Sequence, residues 1–267
     1  MKNNVIKQMA SYQLVGLGTY KLKDLQCVQI VSEGLKLGYR LIDTAQLYKN
    51  HNQIAQAIEL SGISREEIFI QSKIHNSNIK KLKIAESIGE IKKELETDYI
   101  DLILLHNPVT NYNKAWEELV RCQNHLNIKY IGVSNFNIDH LNKIIGQTGC
   151  IPWLNQIELN LFNQQDELVK YNRENNIITQ SHTTLTKKAK LDDPELINWA
   201  KQIELSTPKL MYKFVLDQQI GILPRTSNQT HLYENYNLVN SPVLFDSGFI
   251  NSNQDLIKKF DIKFKIY

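Results

Sequence analysis

Short apolar runs alternate with longer amphipathic runs along the chain. LVGLGTY (14–20) reads as a strand closed by Gly18. Leu25, Val28, Val31 and Leu35 then recur at helical spacing over 25–37, with Asp24 placed to cap that helix. YRLID (39–43) is the next short run, followed by a helix over 51–60 and the strand EIFIQSKI (67–74). Ser64 and Glu67 match a capping box, but no helix has room to follow. A long Lys- and Glu-rich helix is expected over 79–97, with Leu82, Ile84, Ile88, Ile91 and Leu95 gathered on one face. The alternation continues through YIDLILLH (99–106), a helix near 113–125, KYIGVS (129–134), a helix over 137–147, WLNQIEL (153–159), a helix over 164–175 and NIITQS (176–181). Helical segments over 194–218 broken near Pro208, the strand IGILP (220–224), a helix near 229–237 and a mobile tail complete the pattern.

About eight strand-then-helix units are the number an α/β chain needs to close a (β/α)8 TIM barrel. Most strands are apolar on both faces, as parallel strands covered by helices must be. No Pro/Gly/Ser linker interrupts the chain, so a single domain over 1–267 is expected, with a short tail from about 238. The competing architecture, an open doubly wound sheet, wants GxGxxG after its first strand. GLGTYK (16–21) begins that motif and then departs from it.

Composition narrows the function classes. Hydrophobic residues at 42% and charged residues at 22% exclude a disordered chain. A net charge of +3 is too small to imply nucleic acid or a membrane surface as partner. No apolar run approaches the roughly 18 residues of a membrane span. MKNNVIKQMASYQL lacks the apolar core of a signal peptide. Cys27, Cys122 and Cys150 are odd in number and widely spaced, which argues against a disulfide framework or a bound metal and for a reducing, cytoplasmic compartment. Nothing in the sequence demands more than a monomer.

In a barrel, chemistry gathers just past the carboxyl ends of the strands. Those positions hold Asp43 with Tyr48 beyond it, Lys73, His106-Asn107-Pro108, Ser134-Asn135, Gln156, and Pro224-Arg225-Thr226-Ser227. Singly, each has an ordinary reading: a structural histidine, a solvated lysine, a turn-capping aspartate, a packed tyrosine. Together they bring an acid, a phenol, an ammonium and an imidazole to one rim. A lysine within about 4–6 Å favours the phenolate and lowers the phenol's pKa from near 10. Asp43 would hold Lys73 charged, and a neutral His106 would aim a carbonyl oxygen at Tyr48. Such a set protonates an oxyanion as something adds to a carbonyl carbon. A Schiff-base lyase using Lys73 is a different enzyme class compatible with a lysine at a strand end, but it leaves SNFN, Gln156 and LPRTSN unexplained.

These blocks resemble the aldo-keto reductases. GYRLIDTAQLYKN (38–50) is similar to the family's first signature, and IFIQSK (68–73), YIDLILLHNP (99–108), KYIGVSNFNIDHL (129–141), NQIELN (155–160) and LPRTSN (223–228) follow in the family's order. The resemblance runs from about Gly16 to Asn235. It implies a (β/α)8 barrel and NADPH-dependent reduction of aldehydes or ketones. It places Asp43, Tyr48, Lys73 and His106 on the catalytic positions, with Tyr48 as general acid. It puts Ser134, Asn135 and Gln156 on the nicotinamide carboxamide, and Gly18 and Thr19 beside its ribose, with Asp43 and Leu185 also among the cofactor contacts. Arg225, Thr226 and Ser227 fall on the adenosine 2′-phosphate site, and Glu234 and Asn235 on the adenine. Tyr20, Tyr48, His106 and Asn107 face the substrate.

Departures from the family pattern fall on the cofactor and substrate positions. His182 replaces the aromatic that stacks on the nicotinamide, covering less area and adding a group that titrates near pH 6–7. Thr184 replaces a proline, which loosens the loop that follows. His231 replaces an arginine of the 2′-phosphate site, weakening the preference for NADP over NAD, while Arg225 keeps it. Asn107 and Tyr20 stand where tryptophans are frequent, and the region after Asn235 is short, so the pocket is expected to be open. Asn50-His51 stands where Asn-Glu is frequent, with His51 on a helix start outside the site, and Ala55 where glycine is usual. These departures also admit a second function, an NADP(H)-binding sensor without turnover.

Overall fold

The computed structural model describes residues 14–240, 242 and 244–265. Eight parallel strands pair in chain order: β1 (Leu17–Gly18), β2 (Leu41–Asp43), β3 (Phe69–Ile74), β4 (Ile100–Leu105), β5 (Ile128–Ser134), β6 (Leu154–Glu158), β7 (Ile178–His182) and β8 (Gly221–Ile222). The sheet curls shut where Val15 bridges Ile222 in parallel and Gly18 N donates to Pro224 O at 2.9 Å. This is an α/β fold of the (β/α)8 barrel type. Gly16 and Gly18 serve that closure: a Cβ on Gly18 would lie 2.8 Å from the Leu223 carbonyl oxygen. The partial GxG is therefore strand-packing glycine, not a phosphate loop.

The helices between strands are α1 (Asp24–Leu37), α2 (His51–Ser61), α3 (Asn76–Lys80), α4 (Ile84–Glu94), α5 (Tyr112–His125), α6 (Ile138–Thr148), α7 (Asp166–Glu174), α8 (Pro194–Gln202), α9 (Thr207–Leu216) and α10 (Gln229–Tyr236). Two apolar clusters follow from the barrel's geometry. The larger lies between sheet and helices, and the smaller fills the lumen with Leu41, Phe69, Leu102, Leu104 and Leu154. Strand side chains alternate between these clusters. On β3, Phe69, Gln71 and Lys73 point inward, while Ile70, Ser72 and Ile74 meet the helices. Tyr130 and Trp153 stack at 4.3 Å in the lumen beside Phe69.

Three local expectations are corrected. Asp24 is the first residue of α1, not its cap; Lys23 holds the N-cap position and makes no side-chain cap bond. Asp24 instead places an acid in the first turn, where the helix dipole favours it. The helix expected over 79–97 divides into α3 and α4, because Leu82 takes a left-handed backbone (φ +55°) and Lys83 N reaches back to Asn78 O. The tail is folded: α11 (Ser247–Ser252) and α12 (Gln254–Lys265) follow Leu238, with Phe245 and Phe260 buried against Trp199. The chain's aromatic residues supply the contacts that a polar, helix-poor pattern at its end concealed.

Candidate active site

Tyr48 is presented by a short 3-10 turn, Gln46–Tyr48, which Lys49 closes with a left-handed backbone. Asn50 then pins that turn to the β1 loop: Nδ2 donates to Thr19 O (3.0 Å) and Leu22 O (3.1 Å), and Oδ1 accepts from Thr44 Oγ1 (2.8 Å). Lys73, one position from the end of β3, is fully buried. Its Nζ donates to Asp43 Oδ1 (2.5 Å), Thr44 O (3.1 Å) and Tyr48 Oη (3.4 Å). His106 follows β4 and lies edge-on to Tyr48, with ring centres 6.3 Å apart. Tyr20, half-exposed, packs tilted against the phenol with ring centres 5.1 Å apart. Asp43, Tyr48, Lys73 and His106 thus converge at the carboxyl ends of the strands.

The electrostatics differ from the sequence expectation at two points. Burial pushes the Tyr48 hydroxyl above its ordinary pKa, and the charge and hydrogen bond of Lys73 only partly offset it. The phenol in the free protein is therefore held protonated, not acidified. His182 is pushed down to about 4, by burial and then by Lys73, so it does not titrate near pH 6–7. His106 is pushed down to about 3 for the same reasons, with Asp43 opposing. For Lys73, burial disfavours the ammonium, but Asp43, Tyr48 and their hydrogen bonds prevail and keep it charged.

Around this centre, Asn135 follows β5 in the left-handed region (φ +64°), which asparagine tolerates. Its Nδ2 donates to His106 O (3.1 Å), Asn107 Oδ1 (2.9 Å) and Ser134 Oγ (3.1 Å), so its Oδ1 is the atom that faces His182 Nε2 at 2.8 Å. A carboxamide oxygen only accepts, which places the proton of neutral His182 on Nε2 and lets Nδ1 accept from Thr183 Oγ1 (2.9 Å). Asn107 also receives support from Asn76, donating Nδ2 to its Oδ1 at 3.1 Å. The loop after β7 is not loosened at Thr184: that residue is buried and its hydroxyl meets Ser181 Oγ at 2.8 Å. A threonine replaces proline's rigidity with a hydrogen bond. Leu185 packs half-buried against the main core.

The remaining sequence candidates divide between direct contacts of Asp43 and the segment after β8. Thr19 is buried, its hydroxyl donating to Asp43 O (2.8 Å). Gln156 lies buried below the rim and donates Nε2 to Asp43 Oδ1 (2.9 Å). Arg225 is exposed beyond β8 and straps the β1 loop, Nε to Tyr20 O (2.9 Å) and Nη2 to Lys21 O (3.1 Å). Thr226 Oγ1 accepts from Asn228 N, and Asn228 caps α10 by accepting from His231 N. Ser227, His231 and Glu234 are exposed and Asn235 is half-buried. Arg225, Thr226, Ser227, His231, Glu234 and Asn235 all fall after β8, on the loop and on α10. His51 opens α2 and bonds Glu94 and outward-facing Ser72. Sequence reasoning missed Gln71 and Gln180, both buried beneath Asp43. Their signal was available: a glutamine two positions before Lys73, and another two before His182, each on the inward face of an otherwise apolar strand.

A buried lysine–aspartate pair, a phenol and an imidazole converging at the carboxyl rim define a class, a (β/α)8-barrel enzyme. The family model for the Aldo/keto reductase family matches residues 14–251. The chain is 32% identical over 229 residues to methylglyoxal reductase DkgA of Escherichia coli (strain K12), covering 84% of this chain and 82% of that protein. It is 34% identical over 230 residues to methylglyoxal reductase DkgB of Yersinia pestis, covering 84% and 86%. The crystal structure of an aldo/keto reductase from Brucella melitensis superposes with a TM-score of 0.83 at 31% identity, covering 93% of this chain and 95% of that one. A mutant of Gox0644 in complex with NADPH gives 0.82 at 30% identity, covering 92% and 88%. The chain belongs to the aldo/keto reductase family, and it is an NAD(P)H-dependent oxidoreductase acting on carbonyl compounds.

Proposed function

We propose that this protein uses NADPH to reduce aldehydes or ketones to alcohols, with Tyr48 as proton donor. The observation that carries this reading is one contact set: Lys73 Nζ lies 2.5 Å from Asp43 and 3.4 Å from Tyr48, and His106 lies edge-on to the phenol with ring centres 6.3 Å apart. NADPH, when bound, supplies hydride to the carbonyl carbon. A phenol held protonated by burial has its proton available at neutral pH. As negative charge grows on the carbonyl oxygen, Tyr48 gives up that proton, and the Lys73 ammonium stabilises the phenolate left behind. Asp43 keeps the ammonium charged and oriented. His106, neutral at working pH, offers a ring N–H to the carbonyl oxygen and aims it at Tyr48.

The residues present fit a nicotinamide dinucleotide. Ser134, Asn135 and Gln156 carry the donors and acceptors a carboxamide needs, and a bound carboxamide would take the place of internal bonds that Asn135 and Gln156 make to His182, Asn107 and Gln180. Gly18 stands at the end of β1, on the rim where the nicotinamide ribose would lie. Thr19 and Leu185 border the nicotinamide end, and His182 would lie on its face. Arg225 would hold the 2′-phosphate with Thr226, Ser227 and His231, and Glu234 and Asn235 would hold the adenine. Tyr20 and Asn107 border the substrate beside Tyr48 and His106. The relatives that are methylglyoxal reductases direct attention to short, reactive 2-oxo aldehydes. We read the molecule as one domain acting as a cytoplasmic monomer, on the strength of its free cysteines and small net charge.

The test is loss of nicotinamide absorbance on adding a panel of aldehydes to the purified protein, with NADPH and NADH side by side. Turnover is expected, faster with NADPH. Tyr48→Phe is expected to lower kcat by about 10²–10⁴-fold while NADPH still binds. No oxidation with any aldehyde, despite NADPH binding, would favour the sensor over the reductase.

A further inference from the structure

The side-chain layer beneath Lys73, His106 and His182 is not apolar. Asp43 on β2 pairs in register with Gln71 on β3, and Gln156 on β6 with Gln180 on β7, so all four enter the lumen near one height. Gln71 Nε2 donates to Asp43 Oδ1 (2.7 Å) and to Gln180 Oε1 (2.8 Å). Gln156 Nε2 donates to the same two acceptors at 2.9 Å each. Gln180 Nε2 returns a bond to Gln71 Oε1 (3.3 Å). The Gln71–Gln180 pair therefore crosses the lumen between strands that three others separate in the sheet.

Barrel interiors are ordinarily filled by branched apolar side chains. Elsewhere the lumen follows that rule with Leu41, Leu102, Leu104 and Leu154. A buried amide pair adds little net stability over an apolar pair of the same shape, even when fully bonded. What this pair does have is an aim: through Gln71 directly, and through Gln180's grip on Gln71 and Gln156, it converges on the oxygen of Asp43 that holds Lys73. Each N–H donated to that oxygen takes up part of its charge. A carboxylate stripped of these donors would draw the ammonium wholly to itself. With them in place, Lys73 also reaches Thr44 O and the Tyr48 hydroxyl.

We propose that Gln71 and Gln180 are positioning residues: their amide bridge shares the charge of Asp43 and so leaves Lys73 in contact with the Tyr48 hydroxyl. The use made of that contact rests on the reductase reading; the contact itself does not. The charged or titratable groups facing Tyr48 are Lys73 from β3, Asp43 from β2, His106 after β4 and Tyr20 after β1.

The experiment compares the wild-type protein with Gln180→Met, which touches neither Asp43 nor Lys73, and with Gln71→Met. A crystal structure of each gives the Lys73–Tyr48 distance, and the pH profile of kcat gives the alkaline limb at which the phenol loses its proton. The expected result is a distance beyond the hydrogen-bond reach of about 3.5 Å. With it, kcat falls about tenfold and the limb moves to higher pH by about 1 unit, with KM for NADPH unchanged. An unchanged contact overturns the proposal whether or not the protein turns over, and so does a lost contact with an unmoved limb. A lost contact in a protein whose wild type reduces no carbonyl sustains the bridge and overturns the reductase reading instead. If either methionine variant does not fold, the double variant Gln71→Leu/Gln180→Leu, which restores an apolar filling, carries the same two readouts.

Discussion

His106 and His182 are bases that the folded protein keeps neutral, His106 at about 3 and His182 at about 4, against an ordinary value of 6.5. Burial is the first cause for each, and the Lys73 ammonium the second. The sign of the pH effect follows. Between about pH 6.5 and 4 the unfolded chain binds protons that the folded chain refuses, so stability is full above that window and falls as pH drops through it. For His182, the difference at about pH 5 is on the order of 1–2 kcal/mol. His182→Phe removes this term along with the bond to Asn135. The variant is expected to lose less stability than wild type between about pH 7 and 5, whatever its value at pH 7, as read from urea midpoints. An equal slope in both proteins would show that another group carries the acid loss. The candidate site was legible because strand ends announce themselves: Asp43, Lys73 and His106 each stand at or just past the end of a largely apolar run, and the fold brings them together. A neutral His106 and a charged Lys73 were expected, but the raised Tyr48 and the depressed His182 were not, because the burial behind both is a property of the closed barrel, which no spacing along the chain records.

At the level of elements, the alternation of apolar and amphipathic runs located all eight strands, since a strand buried on both faces leaves a continuous apolar run. It could not locate the break between α3 and α4. Leu82 continues the apolar stripe, and only its left-handed backbone and the bonds around Asn78 end the helix. Sequence likewise understates Gly132 in the middle of β5. A Cβ there would lie 2.5 Å from the Leu154 carbonyl oxygen and 2.8 Å from Leu104 Cδ2, so the spacing of β5 against its neighbour β6 depends on a missing methyl. A backbone oxygen cannot swing aside as a side chain can. Gly132→Ala is expected to cost at least about 1–3 kcal/mol in chemical unfolding, at the upper end or beyond because a strand must shift. It is also expected to weaken NADPH binding, because Ser134 and Asn135 follow on the same strand. A stability within about 0.5 kcal/mol of wild type would mean the sheet absorbs the group.

For the whole molecule, the barrel is closed twice: by β8 on β1, and by the chain end folding back over α8 and α9. Asp217, at the end of α9, is the hinge of the second closure. It pairs with Lys213 (2.6 Å) and accepts from the backbone N–H groups of Leu244 (2.8 Å) and Phe245 (3.0 Å), satisfying a buried carboxylate and two turn amides at once. Beyond it, Phe260 stacks on Trp199 at 5.8 Å and meets Phe162 edge-on at 5.1 Å, while Gln164 Nε2 donates to Ile257 O (2.8 Å). These contacts fall on α8, α9 and the loop after β6, and none of them involves Asp43, Tyr48, Lys73 or His106. Among the described residues, the folded end therefore stabilises the molecule through contacts remote from its titratable centre. Phe260→Ala removes a fully buried ring and is expected to cost about 3–5 kcal/mol, read as a lower unfolding midpoint, with earlier proteolytic cleavage in the segment after Leu238. At a temperature where the variant is still folded, kcat for aldehyde reduction is expected to stay within about twofold of wild type. A large fall in kcat without a fall in stability would place the end of the chain over the substrate instead of against the flank of the barrel.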